Sequence, residues 1–181
     1  REEVTFFAVR GGYVYFLTLN NGIARVLVTG GAETLILPKL PASPEPSHYW
    51  ITYRDLAVDD QYVYVPYPSI DGRMPHTIRR FSATGGDSGT IVANITWHPE
   101  LPVRPATWLR LDGEYLYFVV ETGIYRVKPG GDTQPQSVGS SRTPPIFDAN
   151  SIYGTDQIGG YDSPLEGVIL KFPKERPRPA G

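Results

Sequence analysis

The stretch Leu56-Ala57-Val58-Asp59-Asp60-Gln61-Tyr62-Val63-Tyr64-Val65 decides the fold, because its pattern recurs along the chain. The triplet within it, YVY at residues 62–64, has copies at 13–15 (YVY), 115–117 (YLY) and, in weakened form, 151–153 (SIY). Self-similarity at a fixed spacing is the sequence signature of a repeat architecture. We therefore interpret the chain as successive copies of one structural unit.

A second phrase follows each triplet and ends in a basic residue and an apolar one. Its copies are Ile23-Ala24-Arg25-Val26, Ile78-Arg79-Arg80-Phe81, Ile124-Tyr125-Arg126-Val127 and Ile169-Leu170-Lys171-Phe172. The first three copies then reach a glycine pair, at Gly30-Gly31, Gly85-Gly86 and Gly130-Gly131. The β-branched and aromatic runs predict strands, and the glycine pairs predict tight turns between them.

Each repeat predicts four antiparallel strands, and a lone sheet of this kind cannot bury both of its faces. Stacking of copies around an axis buries those faces, so the sequence predicts an all-β fold, a β-propeller of about four four-stranded blades. The predicted blades are residues 4–50, 51–107, 108–144 and 145–172. The last blade is incomplete, because a strand after Phe172 is missing, and residues 173–181 are predicted to form a Pro-rich tail or linker.

One position between the first two strands of each repeat indicates the turn chemistry. Asp59, Asp112 and Asp148 share this position, and an aspartate there can accept backbone N–H groups and hold a tight turn. Arg10 occupies it in the first repeat, where Gly11-Gly12 can supply positive φ angles instead. Alternation along the third strand further predicts that its basic residue points away from the most buried face.

These phrases resemble the blades of bacterial β-propellers, akin to YWTD- and NHL-type repeats, from Phe6 to Phe172. The resemblance implies the architecture and not a function, because such propellers include enzymes, receptors and scaffolds. Two arrangements stay open. Either four blades close as a small ring with an incomplete last blade, or these are consecutive blades of a larger ring whose remaining blades belong to another chain, another copy or a removed part. The second is favoured, because an uncovered blade edge invites pairing with another strand.

Composition excludes several classes of partner. The 181-residue chain has 17 basic and 19 acidic residues and a net charge of −2, which gives no electrostatic case for binding nucleic acid. No apolar run approaches 18 residues, so the sequence predicts no membrane span. The chain has no cysteine and therefore no disulfide.

Long loops are predicted at one end of the blades, and aromatic and histidine residues gather there. Such residues on a rigid scaffold suit the binding of a protein or a glycan, because they offer contact area at low entropic cost. The alternative is that they pack onto the blade ends. The candidate binding residues are His48, Tyr49, Trp50, Tyr67, His76, Trp97, His98 and Tyr161.

Catalytic and metal chemistry is less well supported by the sequence. Asp156, Asp162 and Glu166 could supply oxygen ligands to Ca²⁺, although their spacing matches no known loop motif. The segment GDSG at residues 86–89 looks like a serine protease nucleophile segment, but its glycine falls where other repeats have their turn. A metal-dependent, lactonase-like propeller hydrolase would need several channel carboxylates, and the inner strands offer mainly Asp55.

The sequence therefore favours a non-enzymatic propeller module that binds a protein or glycan, or assembles with copies of itself. Resemblance and composition place it outside the cell or at a cell surface. The competing hypotheses are the metal-dependent hydrolase, with calcium as its possible cofactor, and a purely structural building block.

Overall fold

The computed structural model describes residues 4–18, 22–37, 55–67, 76–86, 89–95, 106–158 and 166–174. Over these residues the protein is all β, with fifteen strands arranged in four antiparallel sheets of three or four strands. Within the same ranges there is no helix of the length and apolarity needed to cross a membrane.

The first two sheets follow chain order, and each strand pairs with the next. The strands of sheet 1 are β1 (Val4–Arg10), β2 (Tyr13–Thr18), β3 (Ile23–Leu27) and β4 (Thr34–Leu37). The strands of sheet 2 are β5 (Ala57–Val58), β6 (Tyr62–Tyr67), β7 (His76–Ser82) and β8 (Thr90–Ile95).

The last two sheets repeat this order. The strands of sheet 3 are β9 (Thr107–Asp112), β10 (Tyr115–Val120), β11 (Gly123–Val127) and β12 (Gln136–Ser140). The strands of sheet 4 are β13 (Ile146–Phe147), β14 (Ser151–Ile158) and β15 (Glu166–Pro173). Each predicted repeat thus forms one sheet, and sheet 4 has only three strands within the described residues.

Three turns between the third and fourth strands confirm the role predicted for the glycine pairs. The N–H of Gly30, Gly85 and Gly131 each donates to the carbonyl three residues earlier, over 2.8 to 2.9 Å. Gly85 and Gly86 have φ angles of +84° and +89°, which side-chain-bearing residues rarely adopt. The glycines of residues 85–86 therefore belong to a hairpin turn, as the sequence predicts, while Ser88 lies outside the described residues.

Consecutive sheets pack face to face, and a separate core cluster fills each of the three contacts. The first cluster joins sheets 1 and 2, the second joins sheets 2 and 3, and the third joins sheets 3 and 4. The first strands of neighbouring sheets also touch, β1 with β5 and β5 with β9. These contacts fit a propeller-like arrangement, in which no sheet buries both faces without its neighbours.

The two faces of each sheet have different residues, so we name them by the sheet they contact. The leading face packs on the next sheet and carries both tyrosines of the triplet, such as Tyr62 and Tyr64. The trailing face packs on the preceding sheet and carries the apolar residue between them, such as Val63. This alternation follows from the two-residue side-chain period of a strand.

Candidate functional site

Three clefts open where consecutive sheets meet, at the end of the molecule that carries the tight turns. Their volumes are about 620 Å³ between sheets 1 and 2, 550 Å³ between sheets 2 and 3, and 840 Å³ between sheets 3 and 4. Each cleft is lined by triplet tyrosines, by the basic residue of the third strand and by residues of the first turn. The repeat therefore builds one kind of cleft three times within the described residues.

The basic residue of the third strand stacks on the first tyrosine of the triplet. The guanidinium carbon lies 4.4 Å from the ring centroid in three pairs, namely Arg25 with Tyr13, Arg80 with Tyr62 and Arg126 with Tyr115. In sheet 4, Ser151 replaces the first tyrosine. The ammonium nitrogen of Lys171 lies 5.6 Å from the ring centroid of the remaining tyrosine, Tyr153.

This stacking corrects the prediction that the basic residue points away from the buried face. Arg80 pairs directly with Tyr64 across the strands, so both side chains lie on the leading face of sheet 2. The prediction failed because a guanidinium can lie flat on an aromatic ring while its apolar stem covers neighbouring side chains. The charge is therefore accommodated inside the contact between sheets.

The geometry of the first turn confirms, for two of the three aspartates, the prediction that the side chain accepts backbone N–H groups and holds the turn. Asp59 accepts hydrogen bonds from the N–H groups of Gln61 (2.8 Å) and Tyr62 (2.7 Å) and from the hydroxyl of Tyr64 (2.7 Å). Burial, followed by the bond to Asp59, raises the pKa of the Tyr64 hydroxyl above its ordinary value. The phenol therefore stays a hydrogen-bond donor.

Sheet 4 repeats this arrangement at Asp148. Its carboxylate accepts from the N–H groups of Asn150 (2.7 Å) and Ser151 (2.6 Å) and from the hydroxyl of Tyr153 (2.6 Å). The hydrogen bond from Tyr153 is the main cause of the lowered pKa of the Asp148 carboxyl. In sheet 1, Gly11 and Gly12 have φ angles of +55° and +78°, as predicted for the turn that lacks the aspartate.

Asp112 departs from this pattern and joins sheet 3 to the chain that follows sheet 4. It forms an ion pair with the ammonium of Lys174, and Arg126 donates a hydrogen bond to the carbonyl of Lys174. The ammonium also lies 5.4 Å from the ring centroid of Phe147. β15 ends at Pro173, one residue beyond the predicted end of the last blade, and Lys174 contacts sheet 3. Sequence reasoning did not identify Lys174.

Aromatic packing fills the rest of the contact between sheets 3 and 4. The rings of Trp108 and Phe147 stack with centroids 5.3 Å apart, and Tyr117 meets Phe147 edge to face at 4.9 Å. Trp108 has a φ angle of +56°, an uncommon backbone conformation for a large residue. Sequence reasoning did not single out Trp108, since nothing in its local pattern indicates this conformation.

Asp55 forms a hydrogen bond across the contact between sheets 2 and 3. Its carboxylate accepts from the N–H of Leu56 (2.8 Å) and from the N–H of Leu109 (2.9 Å), which belongs to β9. Burial raises the pKa of the Asp55 carboxyl above its ordinary value, and the two backbone donors oppose that shift. One carboxylate oxygen thus holds the local backbone at Leu56, and the other joins this segment to β9 of sheet 3.

Most of the predicted binding residues lie outside the described residues, namely His48, Tyr49, Trp50, Trp97, His98 and Tyr161. His76 is the first residue of β7, and its side chain is not described. Tyr67 ends β6 rather than lying in a loop, is only 8% exposed, and has the guanidinium carbon of Arg79 4.2 Å from its ring centroid. Tyr67 packs in the first core cluster.

The predicted calcium ligands are distributed over two strands and a segment outside the described residues. Asp156 lies on β14 and Glu166 on β15, with the side chains of neither described, and Asp162 falls outside the described ranges. In the described part of the chain, no group of three or more acidic, histidine or cysteine residues is placed to hold a metal ion.

The leading face of sheet 4 is open. The isoleucine that begins the second phrase is completely buried in sheets 1, 2 and 3, as Ile23, Ile78 and Ile124. The equivalent Ile169 is 75% exposed. Ile146 pairs directly with Tyr153, lies on the same face and is 69% exposed.

The trailing face of sheet 1 is open along its outer strands, β1 and β4, whereas Phe16 and Ala24 of the central strands are buried. Phe7, Val9 and Leu35 lie on this face and are 67%, 59% and 57% exposed. The residues equivalent to Val9 in the other sheets, Val58, Leu111 and Phe147, are half-buried and pack against core clusters. Large contiguous apolar patches on a folded domain are typical of sites that contact a protein, a ligand or a membrane.

The solved structures similar to this chain share little sequence identity with it. The computationally designed Ika4 protein is 13% identical, with a TM-score of 0.50, over 94% of this chain and 92% of that one. The designed Ika8 protein is 14% identical, with a TM-score of 0.49, over 83% of this chain and 42% of that one. A chain in the S. cerevisiae structure of dbp5 bound to nup159 and gle1 is 9% identical, with a TM-score of 0.47, over 94% and 47%.

No protein-family model matches the chain, and none of the curated proteins compared with it does either. The likeness to the Ika4 protein, at 13% identity, is a likeness of fold.

Proposed function

We propose that this chain is a non-enzymatic β-propeller module whose function is binding and assembly. The observation that carries the proposal is the exposure of Ile169, whose three equivalents are completely buried between sheets. The same face that joins sheet to sheet inside the chain is presented, unoccupied, by sheet 4. An exposed copy of an internal contact is suited to receive another sheet.

The described carboxylates support a structural role over a catalytic one. Asp59 and Asp148 each hold a tight turn, Asp55 joins the backbone at Leu56 to β9, and Asp112 pairs with Lys174. A propeller hydrolase needs carboxylates that face a substrate or a metal ion with lone pairs to spare. In these four cases the contacts lie within or between sheets.

Ligand binding by the long loops is the second part of the proposal. The supporting observation is the sequence itself, which gathers aromatic residues and all three histidines in those segments and next to them. Proteins and glycans are the ligand classes that such rings suit, because rigid aromatic side chains bury area at little entropic cost.

Two matched substitutions test whether the leading face of sheet 4 is free in one chain. Ile124→Asp places a charge in a completely buried position and should prevent cooperative folding, because an unpaired buried charge is very costly. Ile169→Asp places the same charge at a 75% exposed position and should leave a folded protein with a cooperative thermal transition. Circular dichroism at micromolar or lower concentration gives the readout.

Unfolding of Ile169→Asp to the same extent as Ile124→Asp would contradict the proposal, because the face would then be covered within the chain. Ile124→Val, an uncharged substitution at the same buried position, is the control and should fold.

A further inference from the structure

We infer that the open leading face of sheet 4 binds the open trailing face of sheet 1 in a second copy of this chain. The inference rests on the proposed function and names the partner. It is a head-to-tail contact, in which two different surfaces meet. Two such contacts would join two copies into one ring of eight sheets.

The contact between copies repeats one that the chain already makes three times. Sheet 3 presents Tyr117 and Ile124 to Ile152 and Phe172 of sheet 4, and the third core cluster contains all four residues. Sheet 4 carries the equivalents of the first two, Tyr153 and Ile169, on its leading face.

Sheet 1 carries the matching acceptor residues. Val14 and Val26 are aligned with Ile152 and Phe172 and lie opposite each other on its trailing face. Both are only half-buried, and the neighbouring Phe7 and Val9 are largely exposed. A surface that can accept a leading face is therefore present at the other end of the same chain, and its outer strands are uncovered.

The number of copies follows from the size of known propellers. These rings have about 4–8 blades. Two copies of four sheets reach eight, whereas three copies would reach twelve. Among the described residues sheets 4 and 1 do not cover each other, because Ile169 and Phe7 are 75% and 67% exposed. A two-copy ring covers both open faces and leaves no sheet without a neighbour on either side.

Sedimentation equilibrium of the wild-type chain between about 1 and 100 µM tests the inference, because this range detects association with a dissociation constant of micromolar order or tighter. The expected mass is twice the 20.1 kDa of one chain. Ile169→Asp should weaken association on the order of 100-fold, because it leaves a charge unpaired in the contact. Phe7→Lys, on the trailing face of sheet 1, should weaken association to a similar extent. Ile91→Asp, at a 39% exposed apolar position of the internal sheet 2, is the control and should remain dimeric.

Mixing the two variants identifies the head-to-tail geometry. A dimer of one Ile169→Asp chain and one Phe7→Lys chain has one unaltered contact. The Phe7→Lys chain supplies its leading face, and the Ile169→Asp chain supplies its trailing face. The mixture should therefore form heterodimers although each variant alone is monomeric. A contact between two identical faces predicts instead that one of the variants has no effect.

Several results would overturn the inference. These are a wild-type mass of 20.1 kDa throughout the concentration range, an unaffected dimer in either variant, or no heterodimer on mixing. If the wild type is monomeric and Ile169→Asp still folds, the second copy is excluded as the partner, but the proposed function is not contradicted. Failure of Ile169→Asp to fold removes the proposed function as well, so the two failures are distinct.

Discussion

Tyr64 donates a hydrogen bond from its hydroxyl to the carboxylate of Asp59, five residues earlier, over 2.7 Å. The same carboxylate holds the turn between these two residues through two backbone N–H groups. One side chain thus joins the local turn to a tyrosine that is buried between sheets 2 and 3. Sheet 4 repeats the relationship with Tyr153 and Asp148, at 2.6 Å.

Removing this hydroxyl should be more costly in sheet 2 than in sheet 4. Tyr64→Phe should lower the free energy of unfolding by about 1.5–3 kcal/mol, the range for hydrogen bonds to charged groups. Tyr153→Phe makes the same change at an exposed bond and should have a smaller effect. Urea denaturation of both variants measures the difference, and equal effects would show that burial of the first bond does not matter.

The stacking of Arg80 on Tyr62 should be measurable as an energetic coupling. Arg80→Met keeps an apolar stem of similar length, and Tyr62→Leu removes the aromatic face. A double-mutant cycle with these variants should give a coupling of about 0.5–2 kcal/mol, as expected for a partly desolvated cation–π pair. Coupling indistinguishable from zero would mean that the guanidinium contributes by packing alone.

Asp55 should make stability depend on pH in the opposite sense to an ordinary salt-bridged aspartate. Burial raises the pKa of its carboxyl in the folded protein, so the folded state holds the proton more tightly than the unfolded state. Its contribution to stability is therefore complete below the unfolded pKa of about 4 and declines as pH rises through the higher folded pKa.

The Asp55→Asn variant isolates this effect, since its amide does not titrate. The difference in unfolding free energy, wild type minus variant, should fall as the pH rises from 3 through the folded pKa and then stay constant above it. Chemical denaturation at a series of pH values gives the comparison. A difference that rises with pH would contradict the assigned direction of the pKa.

Alanine substitutions at two turn glycines distinguish two costs to stability, that of a positive φ angle and that of a Cβ placed close to a neighbouring backbone. Gly30 and Gly85 have φ angles of +87° and +84°, so alanine at either position should cost about 1–2 kcal/mol. A Cβ at Gly30 meets open space, whereas at Gly85 it would lie 3.3 Å from the backbone of Ile36 in sheet 1. Gly85→Ala should therefore be the more destabilising variant, as judged by its melting temperature.

Local features of the repeat were predictable because each depends on a few adjacent residues. The triplet predicts the second strand of every sheet, and the aspartates at 59 and 148 hold turns as their position indicates. The glycine pairs turn the chain for the same reason, since a positive φ is a property of one residue and its neighbours. The absence of a fourth strand after Phe172 stays a prediction, because residues 175–181 lie outside the described part of the chain.

The candidate site was less predictable, because exposure belongs to the assembled sheets. The strand alternation places Ile124 and Ile169 at the same position of the repeat, and no local signal distinguishes them. The difference arises because sheet 3 has a neighbour on its leading face, whereas among the described residues no sheet covers Ile169 of sheet 4. The inward stacking of Arg80 and the pairing of Asp112 with Lys174 also depend on contacts between sheets.

The sequence by itself determined the strands, the turns and their grouping into repeats, since backbone conformation and side-chain alternation act over a few residues. Only the tertiary structure decided which faces are covered and which stay open, because burial depends on what lies on the other side of a face.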